Sequence, residues 1–269
     1  MSDNLKLMCI LAHPDDESLG TGGILARYAA EGVETYLVTA TRGERGWTGS
    51  EADNPGLDAL GQIREAELLA AAKVLGLKEV ILLDYIDGDL DQANPMTITH
   101  QLVAHIRRIR PDVVITFDPN GAYGHPDHIA ISQFTTAAMV SAAMPNGIDA
   151  QYGPPHQVAK LYYFAESQTA YDMFEEVFGD LVMTIDGEER RSMPWQNWAI
   201  TTKVDTAVYW KQVWSAIACH QSQLPNYEAL QKLPADKQKA LWCHQTFYRA
   251  YSLVNGGREL EADLFAGLR

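Results

Sequence analysis

The chain has 269 residues, 46% of them hydrophobic and 21% charged, the proportions of a soluble globular protein with one large α/β domain. Its formal net charge of −14 repels phosphate backbones and anionic bilayers, which excludes nucleic acid and membrane surfaces as expected partners. No apolar run approaches the ~20 residues of a membrane span. The opening MSDNLKLMCILAH passes from a short apolar stretch into a charged cluster, unlike a signal peptide.

In chain order, residues 5–12 (LKLMCILA) read as a first strand, with Cys9 a small buried hydrophobe. HPDDESLG follows, and residues 19–31 then place Ile24, Leu25 and Tyr28 at helical spacing, with Gly32 at the helix end. Residues 33–39 are β-branched and aromatic, a second strand. A polar loop over 41–58 leads to a helix over 62–75 closed by Gly76, and then to a short strand over 80–83. Asn94-Pro95 caps a third helix that runs to Arg110, where Pro111 stops it. A fourth strand over 113–117, the segment DPNGAYGHPDH and a helix over 128–143 complete the first half. This alternation predicts an α/β fold with a mostly parallel sheet and helices on both faces.

Beyond residue 150 the pattern weakens. Residues 160–165 read as a fifth strand and 200–204 as another, while 207–220 and 235–254 read as aromatic-rich helices. Without a Gly/Ser linker, the expectation is one domain: a catalytic core over 1–150 and a C-terminal lobe over 151–269. Trp195, Trp198, Trp210 and Trp214 are expected in the core or in a subunit interface, which allows a homo-oligomer. Cys9, Cys219 and Cys243 are scattered without a CxxC, so a reducing cytoplasm is the expected compartment.

Two clusters carry chemistry. HPDDE (residues 13–17) puts one imidazole and three carboxylates directly after an apolar strand. Carboxylates crowded together are electrostatically costly, and a divalent cation removes that cost. GHPDH (residues 124–128) puts two imidazoles three residues apart at another strand end. Alone, the first also fits an acidic helix start and the second a proline turn. Together, at the carboxyl ends of strands where α/β sheets build their sites, they point to a metal held between two loops.

AHPDDE and GHPDH together resemble the LmbE-like zinc-dependent N-deacetylases. That family includes the N-acetylglucosaminyl-phosphatidylinositol deacetylases and the mycothiol- and bacillithiol-pathway deacetylases. The resemblance spans most of the first 145 residues and extends faintly to AIACHQSQ (216–223). It implies a Rossmann-like α/β fold, which agrees with the alternation of strands and helices. It implies His13, Asp16 and His128 as ligands of Zn2+, although nitrogen and oxygen donors also suit Fe2+ or Co2+. It implies Asp15 as the base that activates water, and His125 as the group that protonates the leaving amine or stabilises the oxyanion. It further implies that Asp127 orients His125, which is then expected to act in its charged form, and that Tyr123 is a mobile tyrosine near the substrate carbonyl. Arg64 and Asp87 match positions that contact the sugar.

Trp47 lies in the loop TRGERGWTGS, for which solvation and substrate recognition are equally open readings. Glu17 is expected to be a helix-start carboxylate rather than a ligand, and His220 a structural histidine. Gly20-Thr21-Gly22-Gly23 lacks dinucleotide-loop spacing and reads as close packing or substrate approach. His100, His105, His156 and His244 follow no pattern. The expected activity is removal of an N-acetyl group from a small amino sugar or its glycoside. Two alternatives stand beside it: a zinc amidohydrolase of a non-sugar amide, and a non-catalytic α/β ligand-binding module.

Overall fold

The computed structural model describes residues 4–145, 151–185, 187–257 and 259–269. Its centre is the first strand, β1 (Lys6–Leu11), whose residues from Leu7 onward are at most 1% exposed. A strand apolar on both faces must be covered on both, so β1 lies inside a sheet and is paired on each side. The further strands are β2 (Glu34–Thr41), β3 (Glu79–Tyr85), β4 (Val113–Phe117), β5 (Lys160–Phe164), β6 (Val182–Ile185), β7 (Glu188–Arg191), β8 (Thr202–Asp205) and β9 (His244–Ser252). Seven of them form one sheet in the order β3-β2-β1-β4-β5-β9-β8. Pairing is parallel from β3 through β5 and antiparallel at β5–β9 and β9–β8. This bears out the expected mostly parallel α/β sheet. The half-exposed residues of β3 fit its place at the edge.

The helices are α1 (Asp16–Leu19), α2 (Gly22–Ala30), α3 (Leu57–Leu75), α4 (Pro95–Ile109), α5 (Gly121–Gly124), α6 (Pro126–Ala143), α7 (Gln168–Phe178), α8 (Trp210–Ile217), α9 (Glu228–Gln231) and α10 (Ala235–Trp242). One group packs α2, α3 and α8 together and another packs α4 on α6. Local chemistry sets the ends as expected. Asn94 Oδ1 accepts the Thr97 N–H at 3.1 Å at the start of α4, and Gly76 closes α3 in the left-handed conformation.

Three readings of the sequence change. The helix expected over 19–31 is two pieces, α1 and α2, broken at Gly20-Thr21. A Cβ on Gly23 would meet Thr206 at 2.7 Å, so that glycine serves close packing. The helix expected over 235–254 stops at Trp242, and His244–Ser252 is instead strand β9. Thr246, Phe247, Tyr248 and Tyr251 favour extended backbone, and β5 offers an edge along which that segment pairs antiparallel. Trp198 is 87% exposed and belongs to no core, whereas Trp210 and Trp214 pack on Val213, Leu241 and Trp242. The helix α7 and the hairpin β6–β7 were not expected.

The sheet runs on past the boundary expected at residue 150, which falls in a stretch outside the described residues. A buried ionic cluster ties down the C-terminal tail. Glu261 accepts from Lys160 Nζ at 2.7 Å, Tyr162 OH at 2.6 Å, Thr202 Oγ1 at 2.9 Å and Arg249 Nη1 at 2.9 Å. Among the described residues, no helix is long and apolar enough to cross a membrane.

Candidate metal centre and active site

The sheet order reverses direction between β1 and β4, which opens a crevice at their carboxyl ends. HPDDE leaves β1 and GHPDH follows β4, so the topology brings both motifs to one place. His13 Nδ1 lies 3.2 Å from His128 Nε2 and 3.7 Å from Asp16 Oδ2, and His128 Nε2 lies 3.5 Å from Asp16 Oδ1. Tetrahedral ligands about 2.0–2.1 Å from a zinc ion sit about 3.3–3.4 Å apart, and these three residues gather donor atoms near enough together to hold a metal. Asp16 is held for the role, because its Oδ2 accepts the Ala12 and His13 backbone N–H groups at 3.2 and 2.8 Å. A second group, His13, His125 and Asp127, also gathers donor atoms closely enough to share an ion.

Charge at the centre is poised accordingly. Burial lifts the Asp16 carboxyl to about 7, with the neighbouring carboxylates adding to the effect and His13 opposing it. Burial, His13 and His125 together push His128 well below the usual imidazole range, leaving its ring neutral and free to ligate. Burial works against charge on His13, but Asp127 and Asp87 outweigh it and raise its basicity.

The outer contacts centre on His13. The Asp127 carboxylate lies 3.1 Å from His13 Nε2, and its two oxygens accept the Gly88 and Leu90 N–H groups at 2.7 and 3.1 Å. Its carboxylate is therefore engaged by His13. His125 is contacted by the backbone of Asp127, whose N–H donates to Nδ1 at 3.1 Å as the cap of α6. Nδ1 is thus the accepting nitrogen of this contact. Asp87 Oδ1 is the second carboxylate oxygen on His13 Nε2, also at 3.1 Å. Asp87 is thus engaged by the His13 ring. Buried Glu44 in turn accepts the Asp87 N–H at 3.1 Å.

Arg64 is buried at 4% exposure, with Nη1 on Gly43 O at 2.9 Å and Nη2 on Pro14 O at 2.6 Å and Asp15 Oδ2 at 3.3 Å. It braces the motif from beneath. Asp15 has a φ of 96°, a conformation that costs a non-glycine residue about 1–3 kcal/mol and persists only where surroundings over-determine it. Its N–H donates to Glu17 Oε2 at 3.0 Å, and its Oδ2 also accepts from Tyr227 OH at 3.0 Å. Tyr123 sets its ring edge against His128, with centroids 5.2 Å apart, in a turn whose Ala122 has a φ of 62°. The Trp47 indole donates to Ser50 O at 2.8 Å, and its loop is pinned where Gln223 Nε2 meets Gly46 O at 2.7 Å and Thr48 Oγ1 meets Ser222 O at 2.9 Å.

Glu17 and His220 are both fully buried and paired at 2.8 Å, outside the metal-capable groups found among the described residues. Burial pushes the Glu17 carboxyl up, but His220 reverses the shift and holds it below the usual range. Tyr227 was missed from the sequence, since it lies in no motif.

Fold and site together define a Rossmann-like α/β protein with a His/Asp centre able to hold a metal at the strand switch. The family described as PIG-L, GlcNAc-PI de-N-acetylase, matches residues 8–139. The chain is 31% identical to the mycothiol S-conjugate amidase of Streptomyces coelicolor, over 100% of this chain and 99% of that one. It is 33% identical to the 1D-myo-inositol 2-acetamido-2-deoxy-alpha-D-glucopyranoside deacetylase of Streptomyces avermitilis, over 98% and 97%. The N,N'-diacetylchitobiose deacetylase of Pyrococcus horikoshii shares the fold with a TM-score of 0.69 at 22% identity, over 92% of this chain and 84% of that one. The chain belongs to the PIG-L, or LmbE-like, family.

Proposed function

We propose that this protein is a zinc-dependent hydrolase that removes the acetyl group from an N-acetylated amino sugar or its glycoside. The observation that carries the proposal is the convergence of His13 Nδ1, Asp16 and His128 Nε2 at ligand spacing, with Asp15 fixed beside them. Support comes also from the relatives, one named for hydrolysing an amide and one for deacetylating an acetamido sugar. In this reading His13, Asp16 and His128 hold the metal. When bound, the zinc supplies Lewis acidity toward the amide carbonyl and toward water.

The remaining work falls to the chain's own side chains. Asp15 takes the proton from the attacking water, its carboxylate kept in place by Arg64 and Tyr227. His125, with its proton on Nε2, donates a hydrogen bond to the oxygen on which negative charge develops. The proton that Asp15 gathers is then available to the departing amine. Tyr123 lies against both imidazoles and shields them from bulk water. The three free cysteines suit a reducing cytoplasm.

The test is acetate release from a panel of N-acetylglucosaminides by zinc-loaded protein. Turnover of the sugars is the expected result. Activity restricted to larger acyl amides would replace the deacetylase reading with the amidase reading, which full-length similarity to the amidase of Streptomyces coelicolor favours as second choice.

A further inference from the structure

The second half of the chain reaches the first motif at two points, and both concern Asp15. Through the backbone, Asp15 donates its N–H to Glu17 Oε2 at 3.0 Å, while Glu17 Oε1 meets His220 Nε2 at 2.8 Å with both side chains fully buried. Ser18 also donates to Glu17, so this carboxylate is held by three partners. Through the side chain, Tyr227 OH donates to Asp15 Oδ2 at 3.0 Å, opposite Arg64. Both contacts come from one stretch, 219–227, and that stretch is itself anchored. The Ser222 N–H and hydroxyl hold Glu67 at 2.8 and 2.7 Å, and Gln223 holds Gly46 O at 2.7 Å. Asp15 meanwhile sits in a left-handed conformation that only Gly adopts freely.

We infer that segment 219–227 is a positioning device for the base, with His220 acting through Glu17 on the backbone of Asp15 and Tyr227 acting on its carboxylate. The inference rests on the reading of Asp15 as the base. It gives the C-terminal half a part in the reaction that neither motif contains. His220 and Tyr227 are positioning residues: their whole effect on rate passes through Asp15.

That restriction makes the inference testable by a double-mutant cycle on zinc-loaded protein, with release of acetate from an N-acetylglucosaminide as the assay. Tyr227→Phe deletes one oxygen, and His220→Gln keeps a donor toward Glu17 without the imidazole. Each is expected to lower kcat by about tenfold or more, as befits a hydrogen bond that fixes a charged group, with KM within about twofold of wild type. Zinc content is expected to be unchanged. In an Asp15→Asn background the same substitutions are expected to cost less than about twofold further, because the group they position is already disabled. Crystals of the variants should show the Asp15 carboxylate displaced.

Equal fold losses in both backgrounds, loss of zinc, or an undisplaced Asp15 with wild-type kcat would each overturn the inference. Should His220→Gln fail to fold, Tyr227→Phe carries the cycle alone. Full activity in Asp15→Asn would instead defeat the base assignment. A disabled Asp15→Asn beside unaffected Tyr227→Phe and His220→Gln would defeat only the positioning role.

Discussion

Asp87 gives the sharpest division between holding the metal and holding the substrate. Its Oδ1 lies 3.1 Å from His13 Nε2, the nitrogen opposite the proposed ligand atom Nδ1, and Asp127 Oδ2 lies at the same distance. Carboxylates behind a ligating imidazole fix its tautomer and raise its basicity, and removing one typically weakens metal affinity about 10–100-fold, or about 1.4–2.7 kcal/mol. The structure places the two carboxylates at different points in that range. Asp87→Asn loses the charge and must satisfy two donors, His13 Nε2–H and the Arg45 N–H that Oδ2 accepts at 3.2 Å, so a loss at the lower end of the range, about tenfold, is expected. Asp127→Asn must satisfy three donors, His13 Nε2–H and the N–H groups of Gly88 and Leu90, and its amide NH2 would face one of them. A loss of about 100-fold is expected there. Titration of zinc against a competing chelator measures both. An Asp87→Asn protein with wild-type zinc affinity and a KM raised tenfold or more would refute the argument and return Asp87 to the sugar.

Three further outcomes are expected. His13→Ala, Asp16→Ala and His128→Ala should each lose most of the bound zinc on gel filtration; retention of stoichiometric metal and activity by all three would disprove the ligand set. Asp15→Asn should lower kcat by about 10²–10⁴-fold with zinc still bound, and loss of zinc alongside activity would make Asp15 a ligand instead. Glu261→Gln leaves Lys160 buried without its counter-charge and should cost about 3–5 kcal/mol, a fall in Tm of about 6–20 °C near neutral pH. Burial pushes Glu261 up, but Lys160, Tyr162, Asn255 and Thr202 outweigh it and hold the carboxyl at about 2, against an ordinary 4.5. A carboxyl so depressed contributes stability that is fully present above pH 4.5 and lost as pH falls toward about 2. The Tm gap should therefore close over that interval, and a gap independent of pH would count against the clasp.

The first half of the fold was legible because each of its signals is local. Asn94-Pro95 starts α4 and Gly76 ends α3 by backbone chemistry that needs no distant partner. A strand such as β1, apolar on both faces, announces its central place in the sheet. The segment over 235–254 failed for the converse reason. Its aromatic residues suit a helix face or a strand equally, and only the open edge of β5 decides between them. Within the site, His13, Asp16 and His128 stood out because few other tasks demand such residues at strand ends. Their supports did not stand out. An aspartate beside a histidine in sequence, as Asp127 is to His128, says nothing of which imidazole its carboxylate meets. Here α6 turns the backbone of Asp127 toward His125 and its side chain toward His13.

That asymmetry explains why Tyr227 and the partner of His220 went unread, and why they matter physically. Asp15 is strained at the end of β1, and the single turn α1 supplies it with the Ser18 and Leu19 N–H groups on its carbonyl and the Glu17 carboxylate on its N–H, but nothing on its side chain. The remaining restraint has to come from elements that pack across it. The antiparallel strands β9 and β8 continue the same sheet, and α8 packs against α1, α2 and α3. Segment 219–227 leaves the end of α8 at the crevice, where it meets Glu17 and Asp15. The carboxylates that make the motif reactive also repel one another, so their arrangement depends on His220, Arg64 and Tyr227 contributed from outside it. Arg64 comes from α3 in the first half, and His220 and Tyr227 come from beyond α8 in the second, so both halves hold the motif.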